Sequence, residues 1–156
     1  MLSLVKTVFG REYEFRFERV SKVLEDIKSI IKLNHEETGV FLKDFDPAFD
    51  RYVRLEDMGF LSFMSVRFDT KIVGYSIYFI DEPIYQKGLI LATQSTTFII
   101  KEHRGVGMAF MRFCDESLKS QGVNSVIRQA SSKLDLSKVY ERLGYILLEK
   151  SYIKGL

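Results

Sequence analysis

"KEHRGVGMAFMRF", residues 101–113, sets two glycines one residue apart between two apolar runs. Upstream, "STTFIIKE" (95–102) is β-branched and aromatic, the composition of a strand. Downstream, Val106, Phe110, Phe113, Cys114 and Leu118 recur at helical spacing and predict a helix over 105–120. A strand therefore stops, a bare backbone turns, and a helix starts within a few residues. A helix N-terminus offers unpaired N–H groups and the positive end of the peptide dipoles. Gly105 and Gly107 remove the Cβ atoms that would bar an anion from those amides, and Arg104 adds a cation suited to phosphate. The stretch 104–109 is thus a candidate phosphate or pyrophosphate cradle. On the glycines alone, a tight strand–helix turn without ligand remains an open alternative. Two other phosphate motifs do not fit. A P-loop needs a closing Gly-Lys-Ser/Thr, and a dinucleotide fingerprint needs a small residue where Phe110 stands.

Outward from this stretch, periodicity predicts the remaining elements. "YEFRF" (13–17) alternates as a half-buried strand does. Val20, Val23, Leu24, Ile27, Ile30 and Ile31 give an amphipathic helix over 18–34, which "HEETG" extends or follows with a second short helix. Asp46 as cap, Pro47 in the first turn and Gly59 as stop bound another helix. The period then changes: 60–68, rich in β-formers, and 71–80 form a hairpin around "DT" (69–70), and 89–100 is a third long strand. After the 105–120 helix come a short strand over 123–129, a helix over "LDLSKVYERLG" capped by Asp135 or Ser132, and a closing strand "YILLEKSYI" (145–153). The unit 89–100, 105–120, 123–129 is a crossover, which makes its two strands parallel. The fold class is α/β, with a mixed central sheet of about six strands flanked by about four helices, in a single domain spanning 1–156.

A hydrophobic fraction of 46% with 28% charged residues is that of a soluble globular chain. No apolar run reaches the roughly 20 residues that span a bilayer, so no membrane is expected. The net charge of +2 gives no general field for nucleic acid. Its distribution is uneven: residues 101–156 hold 10 basic and 6 acidic side chains, which suits a small anionic ligand in the C-terminal half. Cys114 is the single cysteine and reads as a buried core thiol. The N-terminus shows no signal peptide, so a cytoplasmic setting is expected. No Cys/His/acid cluster has ligand spacing, so no metal is expected.

"RGVGMA" (104–109) resembles the Arg/Gln-x-x-Gly-x-Gly/Ala signature of the GNAT family of N-acetyltransferases, and "VYERLGY" (139–145) resembles that family's later Leu-Tyr-x-x-x-Gly-Phe/Tyr segment. Their separation and the element order agree with an acyl-CoA N-acyltransferase-like fold over nearly the whole chain. More loosely, "HEETG", "DPAFDRYVRLEDMG" and the final "YIKGL" resemble a subgroup of short acetyltransferases often carried by bacteriophages.

The resemblance implies transfer of an acetyl (acyl) group from acetyl-CoA, the co-substrate, to an amine by direct attack. It implies that the pyrophosphate lies on Arg104, Gly105, Val106, Gly107, Met108 and Ala109, and that the pantetheine arm follows Phe98, Ile99 and Ile100. It further implies that 89–100 and 123–129 splay apart around the thioester, that a backbone N–H there polarises its carbonyl, and that Tyr140 protonates the leaving thiolate. The chain departs from the family pattern at two positions. Lys101 stands where a proline is frequent, and Lys133 where an asparagine commonly precedes the tyrosine; Lys133 is a further candidate for the coenzyme phosphates. Apart from the resemblance, Tyr140 also reads as a core aromatic. The general base has several candidates: Glu36, Glu37, Asp81, Glu82, or a water held by Gln94 or Thr96. His35 and His103 read as surface and turn residues.

The acceptor, contacted from 32–60 and 81–88, is a small amine, a protein amine or a charged tRNA; no other nucleic acid is expected. The chain is expected as a monomer or homodimer. Two rivals remain at this stage: a coenzyme-A-binding or virion/partner-binding module with this fold and no turnover, and a plain nucleotide-phosphate binder.

Overall fold

In a computed structural model of the chain, residues 2–39 and 44–156 are described; residues 40–43 of the expected acceptor region lie outside them. The elements run β1 Ser3–Val8, β2 Arg11–Phe17, α1 Val20–Thr38, α2 Phe49–Asp57, β3 Leu61–Phe68, β4 Lys71–Asp81, β5 Leu91–Ile99, a 3-10 helix Lys101–Val106, α3 Gly107–Ser120, β6 Ser125–Ile127 and α4 Ser137–Arg142. The strands lie in one sheet in chain order, antiparallel throughout except for the parallel pair β5–β6. Among the described residues no helix is long and apolar enough to cross a membrane.

The sheet is buried on both faces. α1 turns Val20, Val23, Ile27, Ile30 and Ile31 onto Leu61, Phe63, Tyr75, Ile77 and Phe98. On the opposite face α3 packs Phe110, Phe113, Cys114 and Leu118 against Phe15, Met64, Val66, Tyr78 and Ile99. The long 3.6-residue stripes that predict both helices are thus the stripes that bury. Cys114 is fully buried, as expected, and burial pushes its thiol up to about 12.

The sheet has six strands among the described residues, but one differs from expectation at each end. β1, absent from the sequence reading, pairs with β2 through a two-residue loop, Phe9 and Gly10, with φ of 49° and 74°. Two positive φ angles in succession make the hairpin turn that matches strand twist. Phenylalanine is an unusual first residue there, so the turn carries no ordinary sequence signal. The expected closing strand 145–153 does not form: no residue past Tyr145 joins the sheet, and Ile146 is 87% exposed.

Other boundaries shift for local reasons. α1 runs on to Thr38, absorbing most of "HEETG". Neither Asp46 nor Pro47 starts α2; the Pro47 carbonyl accepts from Phe49 N at 3.0 Å in a tight turn outside the helix. Asp135 rather than Ser132 serves α4, accepting the Ser137 N–H at 2.9 Å. α3 begins at Gly107 rather than at Gly105, with a 3-10 turn between strand and helix. The expected 123–129 strand keeps three residues. Val123 N still closes α3 onto the Leu118 carbonyl, and Arg128 turns inward beyond the ladder.

Candidate active site

The parallel ladder β5–β6 pairs Leu91 with Ser125, Ala92 with Val126 and Thr93 with Ile127, and then ends. β5 continues to Ile99, so six of its nine residues lie past the last pair. On its other edge the β4 register shifts between Ile77 and Tyr78: Ile77 faces Thr96 and Tyr78 faces Gln94. Ser95 is therefore bulged and exposed at the point where the two parallel strands part. Bulges re-aim backbone groups out of a ladder. The outcome is a wedge between two strands of one sheet, opening where the parallel ladder ends at Thr93.

At the open end of the wedge lies the glycine turn. Val106 is buried and anchors it in the α3-side core. Gly107 has helical φ and ψ, −54° and −46°. A Cβ built on it would meet nothing nearer than Ile99 Cδ1 at 3.8 Å. The fold itself thus has room for a side chain at Gly107, and the bare backbone leaves space for something outside the chain. Gly105 differs: a Cβ there would lie 3.0 Å from the Phe9 ring, so that glycine admits the β1–β2 turn. Met108 and Ala109 are half-buried in the first turn of α3.

The other named residues fall around the wedge, though not all face it. The side chains of Phe98 and Ile99 are core residues on opposite faces, Ile100 packs against both clusters, and the Ile100 N–H and carbonyl are bonded to Val73 and His103. Arg104 donates from Nε to the Ile99 carbonyl at 3.1 Å, pairs with Glu37 on α1, and lies over the Phe98 ring at 5.8 Å. Its guanidinium bridges β5 to α1 instead of standing free at the glycine turn. Lys133 reaches α1 as well, donating to the Gly39 carbonyl at 2.7 Å. Residues on both sides of the wedge are thereby tied to the C-terminal end of α1.

Tyr140 is buried, and its hydroxyl donates to the Gln129 carbonyl at 3.0 Å, just past β6. Burial raises its pKa above the ordinary phenol value, partly offset by Gln94 and Arg128. It stays protonated at neutral pH, as a proton donor must.

Sequence reasoning gave no role to Arg128, the central side chain at the base of the wedge. It is 1% exposed and donates to Tyr145 Oη at 2.9 Å, Tyr78 Oη at 2.8 Å, Gln94 Oε1 at 3.0 Å, the Met111 carbonyl at 3.3 Å and Asp115 Oδ1 at 2.7 Å. Burial acts to lower its pKa, but the surrounding groups outweigh that and the net shift is upward. With Gln94 Oε1 held by the guanidinium, Gln94 Nε2 faces Gln129, whose carbonyl also receives the Tyr140 proton. Its only sequence signal is an arginine directly after the apolar "VI" of a short strand.

The candidate bases are mostly engaged elsewhere. Glu37 pairs with Arg104, and Thr96 Oγ1 accepts from Asn34 at 2.8 Å, as does Tyr75 Oη at 2.9 Å. Glu82 accepts from Gly88 N, and Asp81 pairs in register with Leu91, four residues and roughly 14 Å along the strand from Ser95. Glu36 is exposed on α1. His103 is 3.0 Å from Tyr13 Oη and packs on Phe68, a structural role, while His35 lies tilted against Phe45 with ring centres 5.1 Å apart. Among the described residues no group of three His, Cys, Asp or Glu is placed to hold a metal ion.

Neither a protein-family model nor a curated protein sequence matches the chain. Solved structures do. A ribosomal-protein-alanine N-acetyltransferase from Brucella melitensis biovar Abortus 2308 superposes with a TM-score of 0.70 at 15% identity, over 92% of this chain and 99% of that one. Glucosamine-6-phosphate N-acetyltransferase from Arabidopsis thaliana gives 0.68 at 20% identity, over 92% and 97%. A Clostridium acetobutylicum protein described as a predicted acetyltransferase, solved with acetyl-CoA, gives 0.66 at 14% identity, over 92% and 96%. At these identities the likeness establishes the fold: the chain has the acyl-CoA N-acyltransferase-like fold of the GNAT acetyltransferases, the one that the two sequence motifs imply.

Proposed function

We propose that this chain, a single domain with the GNAT fold, is an N-acetyltransferase that moves an acetyl group from acetyl-CoA to an amine. The observation that carries the reading is the wedge: a parallel pair that ends after three residues, a bulge at Ser95 where it ends, and an unfilled space over Gly107 at its mouth. The pyrophosphate occupies the amides of 104–109. The pantetheine arm runs past Phe98, Ile99 and Ile100 along β5; the Ile99 carbonyl accepts from Arg104 and both Ile100 backbone groups are bonded within the chain, so the arm packs there and pairs with backbone nearer Ser95. The thioester then reaches Ser95, whose bulged backbone N–H polarises its carbonyl.

The amine nitrogen attacks the carbonyl carbon, the C–N bond forms, and the C–S bond breaks. The sulfur leaves with a proton from Tyr140 Oη, which swings from the Gln129 carbonyl to the thiolate. The surplus proton on nitrogen passes to solvent, because the carboxylates described at the wedge, Glu37 and Asp115, are each paired with an arginine, and Tyr140 regains its proton from solvent. For Arg104 to reach the pyrophosphate it exchanges Glu37 for the ligand, so coenzyme binding and the position of α1 are coupled. The acceptor, a small amine, a protein amine or a charged tRNA, meets the chain from the C-terminal end of α1 and from the β4–β5 connection.

The test is a thermal melt with acetyl-CoA followed by an amine panel read by coenzyme A release. Mass action predicts a gain of about 2.7 kcal/mol when ligand is ~100-fold above its Kd. No shift at millimolar acetyl-CoA rejects the cofactor. A shift with no release on any amine favours the non-enzymatic coenzyme-binding module, the reading that the pairing of both nearby carboxylates with arginines supports.

A further inference from the structure

Phe9 is ill suited to its position on two counts. It has a φ of 49° at the first position of the β1–β2 turn, a backbone conformation that bulky side chains rarely adopt. It is also 88% exposed, so burial of its ring does not offset that cost. An Asn-Gly pair would make the same two-residue turn with a polar surface. The ring nonetheless has a definite place. A Cβ on Gly105 would lie 3.0 Å from its Cε2 and 3.2 Å from its Cδ2. Phe9 therefore stands with its edge at the glycine turn and most of its surface open to solvent.

Two residues on, Arg11 falls on the same face of β2 as Tyr13 and Phe15, the face that α3 covers. Its guanidinium lies over the Phe68 ring at 5.9 Å, and the His103 ring packs against the same Phe68 with centres 4.9 Å apart. His103 is in turn 3.0 Å from Tyr13 Oη and immediately precedes Arg104. Tyr13, Phe68 and His103 thus fasten the hairpin to the start of the glycine turn. Arg11 is exposed there, and among the described residues it joins no ion pair.

We propose that the β1–β2 hairpin reads the adenosine end of the donor: the Phe9 ring stacks on the adenine base, and Arg11 pairs with the ribose 3′-phosphate. The inference rests on the acetyl-CoA reading above and deepens it. With the pyrophosphate on the amides of 104–109, the base lies one ribose away, beside the exposed ring at Gly105. A base offers a π-face that an aromatic side chain covers, and a guanidinium meets a phosphate with two parallel donors. Together the two residues make the chain select free acetyl-CoA over a phosphopantetheine thioester that lacks adenosine, such as one carried on a protein.

Titration calorimetry on the full chain compares acetyl-CoA, acetyl-dephospho-CoA and acetyl-4′-phosphopantetheine. Phe9→Asn should weaken the two adenosine-bearing ligands by about 5- to 150-fold, the worth of one base–aromatic stack, and leave the phosphopantetheine within twofold. Its melting point without ligand should equal or exceed that of the wild type, because Asn-Gly favours the turn; lost stacking is thereby separated from a lost fold. Phe9→Tyr should retain affinity. Arg11→Gln should weaken acetyl-CoA by up to about fivefold, as for an exposed ion pair, leave acetyl-dephospho-CoA unchanged, and matter less as salt rises. A wild type that binds acetyl-CoA while Phe9→Asn stays within twofold overturns the proposal and leaves the coenzyme reading standing. So does an equal loss for all three ligands, which would make the hairpin a prop for the glycine turn. A wild type that binds none of the three refutes the coenzyme reading and the proposal with it.

Discussion

Replacing Gly107 by alanine should make the free protein more stable and the coenzyme complex weaker. The position is the first residue of α3, with helical φ of −54°, and a methyl placed there would meet only Ile99 Cδ1, at 3.8 Å. Glycine there costs the unfolded-chain entropy that alanine would remove, about 0.4–1 kcal/mol. For a chain of this length that corresponds to a rise of roughly 1–4 °C in Tm. The same methyl stands where the pyrophosphate would approach the helix amides. Losing one charge-assisted hydrogen bond there costs about 1.5–3 kcal/mol, a roughly 10- to 150-fold weaker Kd. Gly107→Val should abolish binding. Melts without ligand and titration calorimetry with acetyl-CoA read the two arms separately. A lower melting point in the free protein would show that the fold needs this glycine. An affinity kept within twofold by both variants would place the phosphates elsewhere.

Arg104→Ala should weaken acetyl-CoA by about 1.5–3 kcal/mol and leave a pantetheine fragment without pyrophosphate unaffected, while Glu37→Gln, which frees the guanidinium, should tighten it; equal losses for both ligands would make Arg104 a strut of α1. Tyr140→Phe should lower turnover by about 10²–10⁴-fold at unchanged coenzyme affinity. The wild type should lose activity only above pH 10, since burial raises the phenol, and a Phe variant within threefold of wild type would mark Tyr140 as packing. Arg128→Met strips a 1%-exposed cation from Asp115, Gln94 and two tyrosines, which should cost on the order of 4 kcal/mol, and a denaturation midpoint that hardly moves would contradict the network. The Cys114 thiol and the Tyr75, Tyr78, Tyr140 and Tyr145 hydroxyls are all raised by burial from 9.0 or 10.0, so each is protonated more tightly folded than unfolded. The stability they contribute is present below about pH 9 and is lost as pH rises beyond it, and a melting point constant from pH 9 to 11 would refute that sign.

What the sequence made legible is what local periodicity and backbone chemistry dictate. The apolar stripes of α1 and α3 each require burial of one face, and the structure buries them against β3 and β4, whose β-forming residues are covered on both faces. The glycine turn was legible as a change from strand to helix, because turn chemistry is local. β1 was missed because Phe9 takes the first positive-φ position of the loop, where asparagine, aspartate or glycine would ordinarily mark the turn. The strand after Tyr145 was expected from composition alone, and composition does not say which edge, or whose, a strand will join.

The base of the wedge was illegible for a different reason. Arg128, Asp115, Gln94, Tyr78 and Tyr145 come from β4, β5, α3 and the segments after β6 and α4, and no two are neighbours in sequence. Their meaning appears only when the ladder stops. A parallel pair that continued past Thr93 would cover this polar cluster with backbone, whereas one that ends there must close its base with side chains that satisfy one another. A guanidinium does this better than an apolar residue, because its donors fan out in one plane and reach β4, β5 and α3 at once. The opening between β5 and β6 therefore has a cost, met by one buried cation and its five acceptors. A substitution that weakens this cluster should let the strands drift before it unfolds the sheet, so coenzyme affinity should fail at lower temperature than secondary structure does.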